Sequence, residues 1–169
     1  MIKRHQQSDD EQRPKITLTV YDRGSFGILE LVLPAVTINV LLLARHVKVL
    51  LVLESALRAD EHLAAAFRGL RTNEQIAYAY AHTQGDQFAY DEFAYVPGPQ
   101  AMAAYRAQIH KLIREASPPG FRAPRLFETI RSVGVRLRDR IQVIDLSESL
   151  PERLLAEIDG LPPTRQQRE

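Results

Sequence analysis

Between Ala101 and Leu137 the chain reads as a helix, a hard stop and a short strand pair, and few folds accommodate that order. In AMAAYRAQIHKLIREA, Tyr105, Ile109, Leu112 and Ile113 recur at three- and four-residue intervals, which gathers them on one helical face. Pro118, Pro119 and Gly120 end that helix, because proline lacks the N–H and collides with the preceding turn. Two short strands follow, Leu126 to Ile130 and Val135 to Leu137, joined by a turn through Ser132 to Gly134.

Charge is concentrated in the same stretch. From Tyr105 to Arg140 nine basic residues face three acidic ones, a net of +6 on a chain whose total is +1, so the remainder carries −5. A patch of one sign on a near-neutral protein is the electrostatic footprint of a phosphate-backbone binder. A basic helix followed by a basic hairpin is the DNA-reading half of a winged helix, although a solvated charged face gives the same count.

The hairpin residues Thr129, Ile130, Arg131, Ser132, Val133, Gly134 and Val135 resemble the wing turn of the OmpR/PhoB-type winged-helix effector domain. The similarity covers residues 72–138, and 15–71 more loosely. Ser132 stands where the family usually has Gly, Val135 where it usually has Tyr, and Gln100-Ala101 replace an Arg-Thr pair. The resemblance implies a recognition helix in the major groove and a wing on the flanking backbone. It also implies a support helix against a phosphate, and a loop between the two helices that contacts RNA polymerase. Among the outward positions of the expected recognition helix, Arg106 and Lys111 are the leading DNA contacts, with Gln108, His110 and Arg114 beside them. On the wing the candidates are Thr129, Arg131 and Arg136, while Arg138 and Arg140 supply general attraction for phosphate.

Upstream, Lys15 to Asp22 alternates Ile16, Leu18 and Val20 with polar positions, and Ile28 to Leu33 returns after Arg23–Gly27. This reads as a β-hairpin, two strands where the family usually has a four-stranded sheet. A long helix is expected from Thr37 to Arg58, too continuously apolar for a surface helix and therefore central, with Arg45 and Lys48 extending their stems past the core. His46 in it reads as a packed or hydrogen-bonded histidine rather than a ligand. A second helical piece is expected over Asp60 to Arg68, stopped by Gly69. Thr72 and Gln75 form a capping box for the helix NEQIAYAYAH, with Ile76, Ala77 and Tyr80 inward.

Gly85 to Gln100 repeats Phe-Ala-Tyr, placing Phe88, Tyr90, Phe93 and Tyr95 around Asp91 and Glu92. Aromatics carry much of the energy of protein interfaces, so this loop suits a protein partner, RNA polymerase or another. A satellite cluster under the loop, or an extra strand, explains the rings equally well. Beyond a strand at Ile141 to Ile144, Ser149 to Glu152 is a second capping box, opening a helix through Ile158 that docks on the domain or joins a homodimer contact.

The composition narrows the classes further. With no cysteine, disulfide and thiolate chemistry are excluded, and a cytoplasmic location is compatible. The N-terminal segment lacks the apolar core of a secretory signal. The most apolar run, Leu33 to Leu53, holds Arg45, His46 and Lys48 near its middle, which at mid-membrane would cost about 2.5–3.5 kcal/mol for each of the Arg and Lys. No phosphate loop, HExxH pair, nucleophile elbow or metal-ligand spacing is present, so no enzyme, metal or cofactor is expected. A receiver domain would need roughly 100 further residues, so phosphorelay control is not expected.

The expectation is thus an α+β chain: a disordered tail over 1–14, a winged-helix domain with an N-terminal hairpin over 15–145, an accessory helix over 146–160 and a polar tail over 161–169. Its expected role is double-stranded DNA binding, sequence-specific or general, as a bacterial transcription regulator. The alternative is a winged helix used as a protein-interaction module, through loop 88–95 and the C-terminal helix.

Overall fold

In a computed structural model of the chain, residues 13–82 and 97–146 are described. They build an α+β fold of three helices and two sheets. Strands β1 (Lys15–Tyr21), β2 (Phe26–Val32) and β3 (Thr37–Leu43) form an antiparallel meander, and β6 (Ile141–Leu146) joins β1 in parallel, giving the order β3-β2-β1-β6. Helices α1 (Ala44–Ala59), α2 (Asn73–His82) and α3 (Pro99–Ala116) precede a hairpin of β4 (Phe127–Ile130) and β5 (Gly134–Leu137).

Residues 37–43 correct the expected helix over 37–58. Ile38, Val40 and Leu42 point into the core while Thr37, Asn39, Leu41 and Leu43 point out, a period of two that the outward leucines disguise as a continuous apolar run. Thr37, Ile38 and Val40 are β-branched and favour the extended backbone. The N-terminal sheet is therefore not a two-stranded hairpin but four strands, the fourth supplied from the far end of the described chain. The segment 60–68 is likewise no helix, holding only a single 3-10 turn at Ala65–Phe67 with no buried residue. Leu63 and Phe67, which a helix would set on one face, find nothing to pack against and stay exposed, and the Asp60 carboxylate at the start is drawn to Gly69 and Arg71.

Helix α1 is the centre of the core. His46, Val47, Lys48, Val49 and Leu50 are all buried in succession, which requires that stretch of the helix to be enclosed on every side, while Ser55, Arg58 and Ala59 further on are exposed. The sheet covers one side through Leu18, Leu29, Leu31 and Leu42; Ile76, Met102, Ile109 and Ile113 of α2 and α3 cover another. Leu126, Val135 and Leu137 bring the hairpin against the remainder. The outer face of the sheet is a different surface. Register places Leu146, Tyr21, Phe26 and Leu43 in one cross-strand row and Ile144, Thr19, Ile28 and Leu41 in the next.

Two carboxylates tie the layers together. Asp60 Oδ2 accepts hydrogen bonds from the Gly69 N–H at 2.9 Å and Arg71 Nη1 at 2.7 Å, and Oδ1 accepts from Arg71 Nη2 at 3.1 Å. This arrangement holds the Asp60 carboxyl down at about 2 against an ordinary 3.8, chiefly through Arg71. Arg71 in turn pairs its backbone with Val135, at 3.0 and 2.9 Å, adding a bridge to the hairpin. Gly134 permits this approach, since a Cβ there would lie 2.6 Å from the Arg71 carbonyl oxygen. Buried Glu54 accepts the Ile141 N–H at 3.0 Å and Arg140 Nε at 3.3 Å, fixing β6 to α1.

Asp60→Asn should therefore cost about 1.5–3 kcal/mol in chemical denaturation, the usual range for hydrogen bonds to a charged group. Because the folded pKa lies below the unfolded one, the contribution is complete above about pH 4 and lost as pH falls towards 2. The variant should lack that part of the acid transition. An acid limb unchanged by Asp60→Asn would refute the assignment.

Candidate nucleic-acid interface

Helix α3 starts with Gly98 as N-cap and Pro99 in its first turn, where a missing N–H costs nothing, and stops at Ser117, whose Oγ donates to the Ile113 carbonyl at 2.7 Å before Pro118. Met102, Ile109 and Ile113 fix its inner face, with Tyr105 and Leu112 packed beside them. α2 carries its expected capping box: the Thr72 N–H donates to Gln75 Oε1 at 2.9 Å and the Gln75 N–H to Thr72 Oγ1 at 3.2 Å. Ile76, Ala77 and Tyr80 are buried as the spacing predicts.

A polar latch sets the rotation of α3 against α1. His46 Nδ1 accepts the Leu43 N–H at 3.3 Å, so its other nitrogen, Nε2, donates to Gln108 Oε1 at 2.8 Å. Arg45 Nε donates to the same oxygen at 3.1 Å, and its guanidinium lies 5.9 Å from the Tyr105 ring centroid. Burial is the main cause that lowers the His46 pKa, with the Arg45 charge adding to it and the Gln108 bond opposing. Gln108, read from sequence as a base reader, has its carbonyl oxygen committed to holding the helix.

The remaining expected contacts divide in the same way. Arg136, read as a wing contact, is turned inward: Nε pairs with Glu128 at 2.9 Å, and Nη1 donates to the carbonyls of Ala65, Ala66 and Arg68 at 3.0–3.1 Å. It holds the hairpin to the 65–68 turn. Arg140 is spent on Glu54 and Glu61, the latter at 2.6 Å. Arg106 is half-buried; its Nη1 has no hydrogen-bond partner, and burial lowers its pKa. His110 is half-buried too, its pKa lowered by burial and by Arg114 and Arg125 nearby. Lys111, Arg114, Thr129 and Arg131 are exposed, with Lys111 only 3.9 Å from Glu115. Ser132 holds φ 65° at the β4–β5 turn, in the left-handed region that favours glycine.

Sequence reasoning missed an arginine groove. An open depression of about 670 Å³ is lined by Arg13, Arg122, Arg125 and Arg138 together with Asp139 and a floor that includes Leu33 and Phe121. Arg13, assigned to the tail, faces Asp139 at 3.7 Å. The charge count contained three of these arginines, but nothing local shows that the segment after α3, the hairpin exit and the start of β1 meet. Arg114, Arg122, Arg125, Arg131 and Arg138 are exposed and enter no ion pair among the described residues.

Phe88, Tyr90, Phe93 and Tyr95, and the helix expected after Ser149, lie outside the described residues. Among the described residues no three His, Asp or Glu side chains are gathered as a metal site, and no helix is long and apolar enough to cross a membrane. Neither a protein-family model, nor a curated protein, nor a solved structure matches the chain.

The latch makes a pH prediction. The folded His46 pKa lies below 6.5, so folding is favoured fully above that value and loses stability as pH falls beneath it. His110 acts with the same sign. Thermal melts from pH 7.5 to 5 should show falling stability, and His46→Gln should flatten the slope relative to wild type. Identical slopes would show that His46 is not held neutral by the latch.

Proposed function

We propose that this chain is a winged-helix protein that binds double-stranded DNA mainly through its phosphate backbone, as a transcription regulator. The observation that carries the reading is the sorting of charge. Arg136, Arg140 and Arg71 are consumed by internal carboxylates and carbonyls, whereas five arginines from the end of α3 onward stay exposed without an acidic partner among the described residues. Arginines without acidic neighbours leave a local excess of positive charge, which is what attracts a phosphate backbone. The element order supports the same fold reading: a four-stranded sheet, three helices and a hairpin whose Arg131 is at the turn.

The outward stripe of α3 argues for weak base reading. Gln100, Ala103, Ala104, Ala107, Lys111, Arg114 and the acidic Glu115 are exposed along it, and alanine offers a base edge nothing beyond contact with a thymine methyl. Lys111 and Arg114 at the end of the stripe, Arg131 on the wing and the arginine groove would grip phosphates on either side. On this reading no catalytic step, metal or cofactor is required. The same alanine stripe favours the second reading, a winged helix that recognises protein, since small side chains permit close approach of another helix.

Fluorescence anisotropy with a mixed-sequence duplex across a salt series separates the two. Binding should weaken by about 0.9 log units per log unit of salt for each phosphate neutralised. Arg131→Ala and Arg125→Ala should each reduce that slope by roughly one phosphate, uniformly across sequences. Arg136→Ala should instead lower stability, with a nearly unchanged slope. Absence of binding at low salt would exclude the DNA reading and leave the protein-interaction module.

A further inference from the structure

We propose that the arginine groove is a binding site for a small organic diphosphate, of the nucleoside-diphosphate class, apart from any contact made by the wing turn. Four stretches far apart in sequence meet to line it: the entry to β1, the β2–β3 turn, the segment after α3 and the β5–β6 turn. Four arginines stand there against the single carboxylate of Asp139, a net of +3. Arg13 lies 3.7 Å from that carboxylate, whereas Arg122, Arg125 and Arg138 are exposed and enter no ion pair among the described residues.

The lining sets the charge of the ligand. Guanidinium forks hold phosphate oxygens in pairs, and three such forks exceed what one phosphodiester, with a single charge, satisfies. A terminal phosphate carries about −1.5 to −2 at neutral pH, and a second phosphate in the chain adds roughly one more. The size of the groove sets the rest. At about 670 Å³ it falls within the range of about 300–1,000 Å³ that holds a whole small-molecule ligand, and inorganic phosphate would leave most of it empty.

Its floor is apolar and firm, because Leu33 and Phe121 pack on the hydrophobic core, with Pro34 and Pro124 beside them. Such a floor takes a flat uncharged ring, over which guanidinium planes also stack. Asp139, its side chain 19% exposed, adds an acceptor for sugar hydroxyls or a ring amino group. A plain alkyl phosphate offers that carboxylate no donor. The arms of the groove are tied without a ligand. The Arg138 N–H donates to the Leu126 carbonyl at 3.0 Å, the Leu33 N–H to Val36 at 2.9 Å and the Phe121 N–H to Pro118 at 3.0 Å. Ordering on binding is then confined to the arginine side chains. Arg131 lies at the opposite end of the hairpin, roughly 16 Å of strand from Leu126. A duplex held by the wing can brush the rim of the groove but has no group to fill its floor, so the site goes beyond the DNA reading and does not depend on it.

Isothermal titration calorimetry on the full chain, without DNA and in metal-free buffer at low salt, tests this with ADP, inorganic pyrophosphate and adenosine. ADP should bind as one molecule per chain, roughly tenfold tighter than pyrophosphate or better, and adenosine should give no measurable binding. Arg125→Ala and Arg138→Ala should each weaken ADP by roughly tenfold or more, the loss expected of a charge-assisted pair, while Arg131→Ala leaves it unchanged. No binding of ADP would overturn the proposal. Equal affinity for ADP and pyrophosphate would reject the ligand class, leaving a plain anion site. An equal loss from Arg131→Ala and Arg125→Ala would also overturn it, since diffuse attraction rather than a groove would then hold the nucleotide. With no DNA present, failure here leaves the DNA reading standing, and a chain that binds ADP but no duplex would keep this site while losing that reading.

Discussion

Everything else in this fold depends on the enclosure of α1. Five consecutive buried residues require neighbours around the full circumference of the helix, and the sheet, the helix pair and the hairpin are those neighbours. Fully burying one aliphatic side chain contributes about 1.5–3 kcal/mol, so this one element commits three separate layers to a common centre. The polar residues on α1 follow from the same constraint. His46 and Glu54 cannot reach water and are bonded instead to α3 and to the start of β6, while Lys48 places its ammonium 4.3 Å from the Tyr80 ring centroid.

From that enclosure comes the distribution of positive charge. Arginine presents a planar fork of donors, which suits it to satisfying carboxylates and clusters of carbonyls inside a fold as well as phosphates outside it. Arg71 and Arg136 take the inward role: the first clamps Asp60, the second gathers three carbonyls of the 65–68 turn. Arg114, Arg125, Arg131 and Arg138 remain on the surface. Arg136 and Arg138, only two positions apart, meet different surroundings because Arg136 lies within β5 and Arg138 just past its end.

The sequence made some of this legible and concealed the rest for identifiable reasons. α3, the hairpin and the capped α2 could be read within a residue or two, since proline stops, capping boxes and three-to-four spacing act over a single turn. β3 was hidden because its alternation, visible at Thr37 to Val40, runs into the outward Leu41 and Leu43 and merges with the apolar start of α1, although it continues in the burial. Of the candidate site, Lys111, Arg114, Thr129 and Arg131 are as exposed as their positions suggested, whereas Gln108 and Arg136 are claimed by partners 62 and 71 residues away.

The sequence alone determined the local grammar: where α2 and α3 begin, where α3 stops, that a basic hairpin follows, and that a long apolar stretch must be central. Those features depend on interactions within a few residues, where side-chain spacing and turn chemistry dominate. Only the tertiary structure decided that β6 returns to pair with β1 in parallel, that Glu54 receives the Ile141 amide 87 residues on, and that Arg13 meets Arg122, Arg125 and Arg138 around one groove. Such partnerships are fixed by which surfaces remain unburied once the helix is enclosed, a property of the packed whole that no local window of sequence contains.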